Sequence, residues 1–376
     1  MILKTKKLQE VCSKILPAVE ASDISNILDT LQLKTVNKVL CLSVTNKEYF
    51  VEVKLDVTEE AEFNATVNAS LFLKLVSQIT AEDIELTVSD SVLNVKANGT
   101  YKFPLIFEGD HLMELPTIEV CNVVKEFDIS SSILNSILVY NAKELDKGTI
   151  SRPVQKLFYV DEHGAITFTT GACVNSFELS QPVKILLNRR LVKLFKLFQD
   201  CSVKFRLAYD TVDESSDIIQ TKVQFIADDI CITCILSCDD NMITQIPVNA
   251  IRGRADSLYP YSVVISKGEL LQTLSRLMLF TSSSSDIEYK TNILFKFNKD
   301  FVSISDVREE NKENIPYLNK ESGITENYTA TLDILDLKLT LDTCTESSIT
   351  FYFGDGNAFV LSRGAVKNVI PEVMTI

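Results

Sequence analysis

Few side chains in this sequence have the type and spacing for covalent or metal chemistry. His111 and His163 are the two histidines, both in turn-like stretches, which leaves little for a Ser-His-Asp, Cys-His or His-rich metal site. Cys231 and Cys234 have CxxC spacing, but their segment reads as a strand, on which i and i+3 point to opposite faces. The nine cysteines are odd in number and irregularly spaced, which fits reduced, buried thiols rather than a disulfide framework. Asp239-Asp240-Asn241 could hold Mg²⁺, as a nuclease would need, yet acidic residues are favoured in such a turn for their own sake. With 11 glycines and no GxGxxG or GxxxxGK[ST] run, no loop is set to cradle a phosphate. These residues predict no catalysis and no cofactor.

The chemistry that remains is charge. In Asn188–Gln199, Leu191, Leu194, Phe195 and Phe198 fall at i, i+3, i+4, i+7, while Arg189, Lys193 and Lys196 line a second face. One face wants a core and the other an anion. Asn188 is a good N-cap, and Asp200 ends the pattern before a strand-like Val203–Leu207. A solvated face on an ordinary amphipathic helix is the plainer reading of any one such stretch. The chain as a whole carries a net charge of -14, so a nucleic-acid contact requires Lys and Arg to be segregated from the carboxylates.

The elements that must position those cations repeat. Lys6 to Leu16 is helical, with Leu8, Val11, Cys12 and Ile15 on one stripe, and strands are predicted at 29–36, 39–44 and 49–55. A second helix over Asn68–Ile79 leads to strands at 84–88, 92–97 and 101–107, with Asn98-Gly99 as a hairpin turn. The order returns with a helix over Ser130–Ala142 and strands at 157–160, 165–169 and 173–179. The basic helix is followed by strands at 203–208, 221–226 and 230–236, with Asp213 to Asp217 as an acidic hairpin tip. Last come a helix over Gly268–Phe280 with strands at 287–289, 293–297 and 301–306, a polar loop over 308–327, and a helix over Leu332–Leu341 with strands at 348–353 and 358–361 around Gly354-Asp355-Gly356. Six copies of one helix-and-meander unit, paired, make three similar two-layer α+β domains, at residues 1–122, 123–252 and 253–376.

In that frame Val67–Val76, Glu82–Leu86 and Leu115-Pro116 resemble the first domain of the bacterial-type DNA sliding clamp, the β subunit of the replicative DNA polymerase III. Arg152-Pro153-Val154 and Thr167–Gly171 resemble that family's second-domain signature, Ile185–Arg189 its run into a basic helix, and Ile246-Pro247 its aromatic-Pro pair. The resemblance spans nearly the whole chain and implies a homodimeric, head-to-tail ring with helices facing a central hole. It further implies a non-catalytic processivity factor that encircles duplex DNA and tethers a DNA polymerase and other replication or repair proteins, opened by a clamp loader. The cations then to face DNA are Lys6, Lys7, Lys14, Lys74, Lys143, Arg189, Arg190, Lys193, Lys196, Lys267, Arg276 and Lys338. A dimer contact matches Phe103 and Leu105 on one side and Leu279 and Phe280 on the other. A pocket for partner peptides with apolar anchors matches Val154, Thr169, Gly171, Val174, Leu258, Pro260, Val360 and Ser362.

The sequence departs from the family in places. Ala172-Cys173 stand where it has His-Arg, Ser22-Asp23 where it has a DNA-touching Arg, and Phe359–Gly364 replace its Met-Pro-Met-Arg-Leu ending. Residues 365–376 then read as an added apolar tail that supplies a wall of the pocket. The N-terminus has no apolar run for a signal, and no stretch reaches the roughly 18 apolar residues of a membrane span, so a cytoplasmic protein is expected. An acidic β-rich scaffold that binds proteins without encircling DNA is the alternative reading.

Overall fold

The computed structural model describes residues 1–20, 26–57, 62–146, 153–211, 219–236, 240–281, 290–319, 323–354 and 358–373. Ser22, Asp23, Arg152, the tip 213–217, Asp239, the strand at 287–289, and Asp355 and Gly356 lie outside the described residues.

Among the described residues one unit occurs six times: a strand runs into a helix, and a three-stranded antiparallel meander follows. In the first, Ile2–Lys4 leads to helix Thr5–Ile15 and then to Thr30–Val36, Val39–Thr45 and Tyr49–Asp56. In the second, Asn64–Asn68 leads to helix Ala69–Gln78 and to Asp83–Ser89, Val92–Lys96 and Thr100–Pro104. The sequence has apolar stripes at helical spacing, and these are what the helices bury: Leu8, Val11, Cys12 and Ile15 in the first, Phe72, Leu73 and Val76 in the second. Asn68 caps the second helix by accepting from the Leu71 amide at 2.8 Å.

The entry strand does not pair with its own meander but with that of a neighbouring unit. Ile2–Lys4 pairs with Asp83–Ser89, and Asn64–Asn68 with Thr30–Val36. Val123–Ser130 pairs with Ser202–Thr211, and Lys184–Asn188 with Leu157–Asp161. Tyr261–Ser266 pairs with Ser348–Phe353, and Tyr328–Asp333 with Asn292–Phe297. Each pairing makes a four-stranded group whose outer edge is the third meander strand.

The chain forms two compact units, residues 1–134 with 193–237, and residues 135–192 with 238–376. In the first, Ile230–Leu236 pairs antiparallel with Tyr49–Asp56 and joins two groups into an eight-stranded sheet. In the second, Ala172–Ser176 pairs antiparallel with Val366–Pro371 to the same effect. Both joints unite third meander strands. One four-stranded sheet is left in each unit, with Thr100–Pro104 and Lys312–Pro316 as free edges.

The second unit's largest core gathers Phe295, Phe297, Phe351, Phe353 and Phe359, all fully buried. The Phe297 and Phe353 rings are 4.1 Å apart, and each such ring removed from water stabilises by about 2 kcal/mol.

Several elements differ from the sequence reading. The basic helix ends early: Arg189–Leu194 is α-helical and Phe195–Leu197 tightens into a 3₁₀ turn, which lays Phe195 and Phe198 on Phe225. The helix expected over Ser130–Ala142 contains a π turn at Ile137–Asn141. That wide turn frees the Asn141 carbonyl, which accepts from the Thr167 hydroxyl at 3.0 Å. The supposed polar loop after Arg308 holds the strand Lys312–Pro316, whose one buried side chain, Ile315, gives little apolar alternation. Val248–Ala255 is a helix absent from the sequence reading, for which Val248, Ile251 and Ala255 at i, i+3, i+7 were the available signal. His111 lies in a two-residue strand, not a turn. Residues after Gly364 are not an appended tail: Val366–Pro371 is an interior strand of the eight-stranded sheet, between Ala172–Ser176 and Ala358–Arg363.

Candidate functional site

The cations of the helices fall into two groups. Lys6, Lys7, Lys74, Lys143, Lys193 and Lys196 are exposed, and none makes an ion pair among the described residues. Their helices bury apolar stripes on the other side, so the ammonium groups stay in water, available to a diffuse anion. Five others, Lys14, Arg189, Lys267, Arg276 and Lys338, are tied to partners in the fold. Lys14 lies 2.7 Å from Asp229 and 3.6 Å from Glu10. Burial opposes its charge, but the two carboxylates outweigh that and hold its pKa above the ordinary lysine value.

Arg189 is ion-paired with Asp146. Arg276 grips Glu313 through Nε at 2.7 Å and Nη2 at 2.5 Å, and its guanidinium holds the Glu313 carboxyl below the usual range. Lys267 donates to the Cys344 carbonyl at 2.5 Å just past the helix Ile334–Asp342, where a cation complements the helix dipole. Lys338 reaches Ser275 at 3.5 Å, and Arg190 is exposed.

The residues matched to a peptide pocket are only partly brought together. Val154 and Val174 belong to one apolar cluster with Tyr159, Ile166, Leu186 and Ile246, and Val369 of the terminal strand packs on it. Thr169 and Gly171 form the turn that precedes Ala172–Ser176, with the Thr169 amide donating to the Gly171 carbonyl at 2.9 Å. A Cβ on Gly171 would stand 2.5 Å from the Val369 carbonyl and 3.3 Å from Pro371, so only glycine fits against the terminal strand. Val360 is buried on Ala358–Arg363 opposite Val369, and Ser362 is half-buried on the same strand. Pro260 and Leu258 are exposed. Helix Val248–Ala255 is fixed to the second unit by Arg252, whose two terminal nitrogens meet the Asp161 carboxylate at 2.7 and 2.6 Å. Val369, Pro371 and Glu144, all close to Gly171, were not singled out from the sequence; the Ile370-Pro371 pair was the available signal.

The residues matched to a dimer contact divide sharply. Phe103 and Leu105 are buried in their own unit, with Phe103 edge-on to Phe72 at 5.6 Å. Leu279 and Phe280 are 72% and 54% exposed at the end of helix Lys267–Thr281, which leaves an apolar end in water.

The buried thiols are quiet, whereas Cys121 is exposed and Cys201 and Cys231 are half-buried, contrary to the expectation of uniformly buried thiols. Burial pushes Cys12 up to about 12 and Cys41 up to about 11, and Cys234, Cys173 and Cys344 are buried as well. Among the described residues no three His, Cys, Asp or Glu side chains gather as metal ligands would, and no helix is long and apolar enough to cross a membrane.

Six interleaved helix-and-meander units define a known class of fold. The chain superposes along all of its length on 99% of a DnaN sliding clamp (DNA polymerase III subunit beta) from Pseudomonas aeruginosa bound to griselimycin, with a TM-score of 0.79 at 14% identity. The DNA polymerase III beta subunit from Thermotoga maritima and the DNA polymerase sliding clamp from Bacillus subtilis each match at 0.77 and 14% identity, again over 100% of this chain and 99% of theirs. The fold is therefore that of the sliding clamps. Residues 1–113 match the model of the family described as DNA polymerase III beta subunit, N-terminal domain. No curated protein matches the chain by sequence.

Proposed function

We propose that the protein is a DNA sliding clamp: a non-catalytic ring of two copies that encircles duplex DNA and tethers a DNA polymerase. The two free edges carry this reading. Twice within the chain, third meander strands pair antiparallel to build eight-stranded sheets. Thr100–Pro104 and Lys312–Pro316 are the two third strands left over, and pairing them between copies repeats the same joint. Setting Lys102 opposite Asn314 keeps Phe103 and Ile315, both buried, on one face. Such a contact joins different patches head to tail and closes into a ring where the rotation allows. Leu279 and Phe280, exposed beside the second edge's sheet, lie under that joint, with Phe103 and Leu105 behind the first.

The six exposed lysines, Lys6, Lys7, Lys74, Lys143, Lys193 and Lys196, with Arg190, then face the duplex. Lys14, Arg189, Lys267, Arg276 and Lys338 shape the same surface while tied to protein partners. Phosphate contacts of this kind carry no sequence information and weaken with salt, so enclosure holds the DNA while the contacts let it slide. The turn Thr169–Gly171, Val154, Val174 and the terminal strand form the partner-peptide site. Leu258, Pro260, Val360 and Ser362 complete its surroundings. A clamp loader opens the ring, and the work is done in the cytoplasm.

The test is retention. Loaded by its own clamp loader, the protein is expected to stay on a nicked circular plasmid through gel filtration in about 0.5 M salt and to run off once the plasmid is cut, since topology outlasts screening. Equal loss from circular and linear DNA would leave an acidic protein-binding scaffold instead.

A further inference from the structure

The turn Thr169–Gly171 is fastened from four sides. Its Thr169 hydroxyl lies 3.2 Å from Glu144 Oε1 and 3.3 Å from the Glu144 carbonyl. Gln155 Nε2 donates to the Thr169 carbonyl at 3.1 Å, and the Thr170 hydroxyl donates to Asp336 Oδ2 at 3.1 Å. On the remaining side Gly171 lies against the terminal strand, and Glu144 Oε1 would be 3.4 Å from a Cβ at that position.

Glu144 is the unusual member. It is 1% exposed at the end of the helix interrupted by the π turn, and a carboxylate buried to that degree is costly unless its oxygens are used. The wide turn at Ile137–Asn141 shifts the residues after it along the helix face, and Asn141 itself is spent on holding the sheet, through the Ala165 and Cys173 carbonyls at 3.3 Å each. Helix end, turn and terminal strand are thereby locked into one arrangement, with the carboxyl of Glu144 between the first two.

We propose that Glu144 is a positioning residue of the partner-peptide site, fixing the turn Thr169–Gly171 against the terminal strand so that the peptide meets a preformed wall. This rests on the reading of that turn as part of the peptide site. Preorganisation of this kind lowers the ordering cost of binding, so its loss appears in affinity even where the fold survives.

The experiment measures binding of a fluorescent polymerase peptide with apolar anchors, at a temperature well below unfolding. Glu144→Ala and Thr169→Val are each expected to weaken binding about tenfold, the usual cost of leaving one buried partner unmet. Glu144→Gln and Thr169→Ser keep an acceptor and a donor and are expected to stay within about twofold of the parent. The double variant Glu144→Ala with Thr169→Val should lose less than the sum of the two single changes, because the two side chains share a contact. Should Glu144→Ala fail to fold, Thr169→Val against Thr169→Ser decides alone. Parent-like affinity in Glu144→Ala or Thr169→Val, or a Glu144→Gln as weak as Glu144→Ala, overturns the proposal. A parent protein that binds no peptide overturns the reading of the site itself, a separate outcome visible before any variant is made.

Discussion

The joined and the free edges of this molecule are the same strand of the same unit, yet their sequences differ. At the joints stand Ile230–Leu236, Tyr49–Asp56, Ala172–Ser176 and Val366–Pro371, with the long partners rich in β-branched and aromatic residues. The free edges, Thr100–Pro104 and Lys312–Pro316, are five residues each, carry Lys102, Lys312 and Glu313, and both finish on proline. Short, charged, proline-ended strands resist indiscriminate pairing. A permanent joint within a chain has no such need, whereas a joint that forms between copies and must open again does.

The two internal joints differ too. That of the second unit is covered by helix Val248–Ala255, pinned by the ion pair of half-buried Arg252 with buried Asp161 and by Lys367 on Asp256 at 2.6 Å. In the first unit the Lys54 amide donates to the Asp229 carbonyl at 2.8 Å, and the nearby ion pair of Asp229 with Lys14 is about one-third exposed. Exposed pairs contribute little, so the first joint depends more on its ladder and core.

The largest effect is expected from ending the chain after Gly364. It removes a strand with buried Val366 and Ile370 from the interior of the sheet, a loss above about 5 kcal/mol, comparable with the whole stability of a domain. Circular dichroism should find the second unit unfolded while the first still melts cooperatively; a fully folded truncated protein would mean that the joint is dispensable.

Next comes Asp161→Asn, which leaves Arg252 without its counter-ion and should cost about 3 kcal/mol in chemical denaturation near neutral pH. Burial pushes the Asp161 carboxyl up, but Arg252 and the His163 amide outweigh that and hold it below the usual carboxylate range. A depressed folded pKa gives stability that is present above the unfolded value of about 4 and lost as pH falls through the folded one, so the gap between parent and variant should close in acid. A gap unchanged at low pH would assign the cost to packing.

Asn314→Pro should be the mildest for the protomer, under about 1 kcal/mol, because proline is tolerated on an edge. It removes an amide that a second copy would use, so sedimentation should show the dimer shifted toward monomer. An unshifted mass would place the contact elsewhere than on Lys312–Pro316.

Much of this was legible in the chain. Helical stripes such as Leu8, Val11, Cys12, Ile15 were readable because burying one side of a helix leaves a period in the residues themselves. The strand Lys312–Pro316 was not, since an edge with one buried side chain has almost no alternation. No local pattern singles out Glu144 as buried, nor shows that Phe103, matched to a dimer contact, packs into the core of its own unit. The terminal strand was read as a tail because one of its pairing partners lies almost two hundred positions earlier.

By itself the sequence determined the repeating unit, the two-layer α+β class and the bias of its cations toward helices, because local periodicity and composition are set by which side of each element meets water. Tertiary structure alone decided which strands join, which edges stay open, which cations meet a carboxylate and what holds the Thr169–Gly171 turn. Those are matters of pairing between residues far apart in the chain, and no local pattern encodes a partner.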